Sequence, residues 1–118
     1  MTVFVDAMNV IGSRPDGWWR DREGALRRFV AEVRAWGEDD VTVVLDAGPD
    51  DLLGVRDGVT VVRASRRGRN AADDEIVRLA GAGDVVVTSD AELAARVRAL
   101  GASVEGAGSF LRKLGSGR

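Results

Sequence analysis

Apolar residues form short continuous runs along this chain, and stretches with helical spacing separate them. The runs lack the alternation of a half-exposed strand, so they predict strands buried on both faces. The predicted strands cover residues 2–5, 41–45, 59–62 and 84–88, with a short fifth at 103–105. The predicted helices cover residues 21–36, 71–82, 91–100 and 106–114. Strands that alternate with helices in this way are typical of a parallel sheet with helices on both faces.

The length of 118 residues suits one domain with a single core. We therefore predict a single α/β domain over residues 1–114, with a flexible tail at 115–118. Ligands of such sheets bind outside the carboxyl ends of the strands, so those ends are the first place to look for chemistry.

The composition limits that chemistry. The chain has no cysteine and no histidine, which excludes thiolate or imidazole nucleophiles and histidine-bound zinc. The absence of cysteine also fits a reducing compartment, so we expect the protein to be cytoplasmic. No apolar run is long enough to span a membrane. The net charge is −2, so the molecule as a whole is not a polycation. Acid-base or metal chemistry must then use carboxylates, which prefer hard cations such as Mg²⁺ or Mn²⁺.

Aspartates follow several of the predicted strands. Asp6, Asp46 and Asp90 come directly after or close behind three strands, and Asp73 and Asp74 open the helix after another. In a parallel sheet these places lie on one edge, where clustered carboxylates repel one another unless a cation neutralises them. Each aspartate alone has a structural explanation, such as capping a helix or shaping a turn. Their joint occurrence favours a metal site suited to phosphodiester hydrolysis.

Polar residues near these aspartates are further candidates. Asn9 is placed to bond a carboxylate ligand or the substrate, and Ser89 to hold Asp90 or contact a phosphate. The basic loop before Asp73 would lie where a phosphate backbone has to pass. Its candidate substrate-binding residues are Arg66, Arg67 and Arg69. Trp18 or its neighbour Trp19 is a candidate for stacking a base, and one of the two is expected to pack on the core instead.

Three segments together carry a resemblance to a known family. They read Val5-Asp6-Ala7-Met8-Asn9-Val10-Ile11, Ala72-Asp73-Asp74-Glu75-Ile76 and Val87-Thr88-Ser89-Asp90. This combination resembles the NYN domain family in its YacP-like branch, which are PIN-like ribonucleases. The resemblance implies a three-layer α/β/α PIN-like fold with a mostly parallel sheet of about five strands, and an Mg²⁺- or Mn²⁺-dependent endoribonuclease site. By position, Asp6, Asp73 and Asp90 would be metal ligands, with Asp74 and Asp46 in support.

The predicted partner is therefore RNA, either free or on the ribosome. No membrane partner is expected, and the protein is expected to be a monomer or a homodimer. One alternative is a non-catalytic RNA- or ribosome-binding module with the same fold. Another is a phosphoryl-accepting, receiver-like domain, which also gathers aspartates at strand ends. That domain needs a lysine near the site, and the single lysine is Lys113, in the last predicted helix.

Overall fold

The computed structural model describes residues 1–68 and 70–116, apart from the side chain of Ser116. Six strands form one sheet in the order β3-β4-β2-β1-β5-β6. Every neighbouring pair is parallel except β3 and β4, which are antiparallel. The strands are β1 (Val3–Asp6), β2 (Val41–Leu45), β3 (Gly54–Arg56), β4 (Val59–Arg63), β5 (Val85–Val87) and β6 (Ser103–Glu105).

Helices cover both faces of this sheet. They are α1 (Ala7–Gly12), α2 (Arg22–Trp36), α3 (Ala71–Leu79), α4 (Ala91–Ala99) and α5 (Ala107–Ser116). One core contains Phe29 of α2 and Phe110 of α5, while the other contains Ile76 of α3 and Leu93 of α4. The predicted three-layer α/β/α fold with a mostly parallel sheet is therefore confirmed.

The structure differs from the prediction at the short elements. Strand β3 was not expected, because its three residues are all exposed and show no apolar pattern. Helix α1 was also unexpected, and it begins directly after Asp6. Helix α3 ends at Leu79 rather than at residue 82, since Ala80 has extended backbone angles.

Helix α5 runs to Ser116, so it includes the start of the predicted tail, whose residues 117 and 118 lie outside the described residues. Within the described residues, no helix has the length and apolar character needed to cross a membrane.

Candidate functional site

The strand register brings the predicted aspartates to one edge of the sheet. Asp6 of β1 lies opposite Val44 of β2, and Val5 lies opposite Val87 of β5. Asp46 and Asp90 follow the ends of β2 and β5, so both lie near Asp6 at this edge of the sheet. This arrangement is a direct result of parallel pairing between apolar strands that end at the same level.

Strand alternation then decides which face each aspartate occupies. Phe4 and Val44 pack in the core under α3 and α4. Since every second residue of a strand points to the same face, Asp6 and Asp46 belong to that face too. The amino-terminal turn of α3, which carries Asp73, lies over it.

Four aspartates line a single cleft of about 280 Å³ at this edge. We call it the acidic cleft. Its lining residues are Asp6, Met8, Asn9, Asp46, Asn70, Ala72, Asp73 and Asp90.

Asp6 is the most unusual of these groups because its side chain is buried, with only 5% exposure. Among the described residues, no basic side chain lies within ion-pair distance of it. Burial, followed by the charge of Asp73, raises the pKa of Asp6 to about 7. The backbone N–H of Asn9 partly offsets this rise, while Asp90 and Asp46 add to it. The carboxylate form of Asp6 is therefore costly in the protein alone.

Two of the other aspartates of the cleft, Asp90 and Asp46, accept hydrogen bonds from backbone N–H groups. Asp90 Oδ1 accepts hydrogen bonds from the backbone N–H groups of Glu92 and Leu93, at 2.9 and 3.0 Å, and so caps α4. Asp46 Oδ1 accepts from the N–H of Ala47 at 2.8 Å. The pKa of Asp73 is raised, first by burial and then by the charge of Asp90.

The donor chemistry of this cleft fits a hard divalent cation, because it concentrates negative oxygens around a buried, unneutralised carboxylate. Within residues 1–68 and 70–116, however, no group of three or more acidic side chains is arranged to hold a metal ion directly. Mg²⁺ usually retains several waters and binds through one or two protein carboxylates together with substrate phosphates. The cleft fits that manner of binding, rather than a closed cage of protein ligands.

Asp74 lies outside the acidic cleft. Its Oδ1 is 3.1 Å from Nη1 of Arg96 on α4, and it lines a neighbouring pocket with Arg66 and Arg78. Adjacent residues of a helix point about 100° apart, so only one of the pair Asp73 and Asp74 can face the sheet edge. The structure brings Asp73 there and leaves Asp74 on the surface.

Asn9 and Ser89 connect the elements around the cleft. The backbone N–H of Ser89 donates to Asn9 Oδ1 at 2.7 Å, which links the ends of β1 and β5. The N–H of Ala107 donates to Ser89 Oγ at 2.9 Å, at the start of α5. Both side chains therefore have structural roles. Asn9 also lines the cleft.

The basic loop borders the cleft on the β4 side. A pocket of about 570 Å³ contains Arg63 and Arg67 and shares Asp46 with the acidic cleft. Arg63 Nη1 donates to Asp50 Oδ1 at 2.6 Å and to the carbonyl of Gly48 at 2.8 Å. Arg66 lies in the pocket that contains Asp74, and Arg69 lies outside the described residues.

Trp18 is half-buried and packs against the core formed by α2 and α5. Its neighbour Trp19 is 57% exposed. One of these two candidates for base stacking was expected to pack on the core, and the structure shows that it is Trp18.

Lys113 lies away from the cleft. Its Nζ is 2.9 Å from Oε2 of Glu105, in an ion pair between α5 and β6. The receiver-like alternative therefore lacks the lysine it requires at the site.

Two residues near the site were not predicted. Asn70 lines the cleft, and its side chain makes no capping hydrogen bond at the start of α3. Arg22 places Nη2 4.0 Å from Oδ2 of Asp46. A position in the first turn of α2 carries no sequence signal for contact with β2, so only the tertiary structure reveals this pair.

Comparisons with known proteins bear on the family. The model of DUF188, described as an uncharacterised BCR of the YaiI/YqxD family, matches residues 50–110. The chain belongs to the YaiI/YqxD family. The matched part of this YaiI/YqxD chain contains Asp73 and Asp90, while Asp6 and Asp46 precede it.

Solved structures share the fold. A crystal structure of a point mutant of Rae1 (YacP) from Bacillus subtilis has a TM-score of 0.76 and 22% identity. The alignment covers 99% of this chain and 77% of the Rae1 chain. A second crystal structure of Rae1 (YacP) has a TM-score of 0.72 and 20% identity, with 99% and 75% coverage. At these identities the two structures show a shared fold, and the expected NYN and PIN-like assignment stays a prediction. No curated protein sequence matches this chain.

Proposed function

We propose that this chain is a metal-dependent ribonuclease that hydrolyses RNA phosphodiester bonds at the acidic cleft, as an endonuclease. The main support is the cleft itself, where Asp6, Asp46, Asp73 and Asp90 converge from separate elements. Such a concentration of carboxylates is electrostatically unfavourable without a cation. The resemblance to NYN-type ribonucleases points to the same residues.

Asp6 and Asp73 would hold an Mg²⁺ or Mn²⁺ ion, with Asp90 and Asp46 contributing directly or through water. When bound, such an ion polarises the phosphoryl group and lowers the pKa of a bound water. The capping bonds of Asp90 fix its carboxylate in place. Asn9 keeps the ends of β1 and β5 together.

The arginines beside the cleft would position the RNA. Arg67 lies in the pocket that shares Asp46 with the cleft, so a backbone leaving the cleft on this side meets a positive charge. Arg66 extends the basic surface toward α3 and α4. Asp74, already paired with Arg96, has no part in this scheme.

A matched pair of variants on α3 tests the proposal. Asp73→Asn should lower Mn²⁺-dependent cleavage of RNA by about 100-fold or more, because metal-assisted stabilisation amounts to several kcal/mol. Asp74→Asn, one residue away, should leave cleavage nearly unchanged. RNA binding, measured separately, should persist in both variants. Equal losses of cleavage in the two variants would contradict the proposed site.

A second candidate function is a non-catalytic RNA-binding module. The arrangement of the described acidic side chains favours it, since no three of them are placed to hold a metal ion directly. Purified protein that binds RNA but cleaves none with either Mg²⁺ or Mn²⁺ would establish this second function.

A further inference from the structure

We propose that Trp19, with Arg20 and Arg22, forms a stacking platform for an unpaired RNA base next to the acidic cleft. This inference rests on the proposed RNA substrate and specifies its form as single-stranded. Trp19 is the most exposed aromatic side chain of the described residues, at 57%. An indole left in water has unfavourable hydration that a stacked base would relieve.

The platform is held in a defined position. Trp18–Arg20 form a single 3₁₀ turn, which follows Gly17 at φ 78°, a left-handed conformation that favours glycine. Asp16 Oδ1 accepts a hydrogen bond from the N–H of Trp18 at 3.2 Å. The Trp18 ring packs on the core and meets the Trp19 ring edge to face, with 5.9 Å between centroids. Trp19 is therefore exposed on a supported turn.

Positive charge accompanies the aromatic surface. The guanidinium of Arg20 lies 5.7 Å from the centre of the Trp19 ring, and that of Arg22 lies 5.9 Å from the centre of the Trp18 ring. A base that stacks on an indole brings its phosphate with it, and nearby arginines attract that phosphate.

Arg22 also joins the platform to the cleft. The same guanidinium that lies over Trp18 is 4.0 Å from Asp46, which lines the acidic cleft. Contacts therefore run from Asp46 through Arg22 and Trp18 to Trp19, and a strand with its scissile phosphate in the cleft can follow them to bring a base further along onto Trp19. Bases within a duplex are already stacked on one another, so the platform selects unpaired RNA.

Binding measurements in EDTA test this inference without any cleavage. The probe is a fluorescein-labelled single-stranded RNA, compared with a duplex of the same length by fluorescence anisotropy. Trp19→Ala should weaken single-strand binding at least about fivefold, the lower end for loss of one stacked base. Trp19→Phe should retain most of the affinity, and duplex binding should change little. Leu100→Ala, which truncates an exposed apolar side chain on another surface, is the matched control and should have no effect.

Intrinsic fluorescence gives a second readout. Single-stranded RNA should quench the tryptophan emission of the wild-type protein, and Trp19→Phe should remove most of that quenching. The inference is overturned if the wild-type protein does not bind single-stranded RNA, if Trp19→Ala leaves its affinity unchanged, or if single strand and duplex lose affinity equally. If RNA binding depends on Trp19 but the protein shows no metal-dependent cleavage, the nuclease proposal fails and this inference stands.

Discussion

Asp6 and Asp84 are aspartates at opposite edges of the same sheet, and their surroundings differ completely. Asp84, just before β5, accepts hydrogen bonds from the backbone N–H of Thr2 at Oδ1 and of Gly81 at Oδ2, both at 2.9 Å. These bonds lower the pKa of Asp84. Asp6, at the end of β1, is buried beside three other carboxylates, and its pKa is raised to about 7.

The contrast separates a carboxylate whose charge the fold satisfies from one whose charge it leaves unsatisfied. Asp84 stabilises the fold as an anion because two N–H groups satisfy it. Asp6 destabilises the fold as an anion, and a cation bound from outside the chain would offset that cost. We infer that a divalent cation offsets the cost of the Asp6 charge at the carboxyl edge of the sheet, while the amino edge needs no cation.

The largest expected effect on stability comes from the titration of Asp6 in metal-free protein. Its pKa is raised from the ordinary value of 3.8 to about 7, so the folded state binds more protons than the unfolded state between these values. The contribution of Asp6 to stability is therefore greatest at low pH and is lost as the pH rises through about 7. We expect a loss of a few kcal/mol across this range.

Asp6→Asn should remove most of this pH dependence and make the metal-free protein more stable than wild type at pH 8. Urea unfolding in EDTA at several pH values measures the effect. A wild-type profile that matches the Asp6→Asn profile at every pH would show that Asp6 carries no such cost.

Asp84→Ala should lower the stability of the protein, which is opposite to the effect of Asp6→Asn at pH 8, and the change should be smaller. The substitution leaves the N–H groups of Thr2 and Gly81 without their acceptor, which should cost about 1–3 kcal/mol in unfolding free energy. Because the pKa of Asp84 is lowered, its contribution is present at neutral pH and is lost on acidification. Urea unfolding at pH 7 should show this loss. If Asp84→Ala is as stable as wild type, Asp84 does not stabilise the fold and the contrast with Asp6 is wrong.

The smallest effect should come from Asp74→Asn. This variant breaks an exposed pair with Arg96, and such pairs contribute at most about 1 kcal/mol. The midpoint of thermal unfolding should shift only slightly, and added Mn²⁺ should stabilise the variant as much as wild type. A lost response to Mn²⁺ would instead place Asp74 in the cation site.

Much of this arrangement could be predicted from the sequence because it follows from simple rules. Apolar runs without alternation indicated a parallel sheet, and a parallel sheet brings Asp6, Asp46 and Asp90 to one edge. The short strand β3 could not be predicted, since three exposed residues carry no pattern. Nor could the sequence distinguish Trp18 from Trp19, because their exposures depend on how the turn packs against α2.

The environment of each carboxylate was also beyond sequence reasoning. Asp84 was taken as the start of a strand, and nothing in its neighbours indicates the bonds from Thr2 and Gly81. The pairing of Asp74 with Arg96 likewise joins two helices through long side chains. Such contacts depend on rotamers and tertiary distances, which local patterns do not encode.

Calorimetric titration of Mn²⁺ into the metal-free protein at pH 8 tests the central claim most directly. Wild type should bind Mn²⁺, and Asp84→Asn should bind it equally well. Asp6→Asn should weaken binding at least about tenfold, since even residues that only orient a metal ligand contribute about 10- to 100-fold to affinity. Wild-type protein that binds no Mn²⁺, or an Asp6→Asn variant that binds it as tightly as wild type, would contradict a cation site at the carboxyl edge of the sheet.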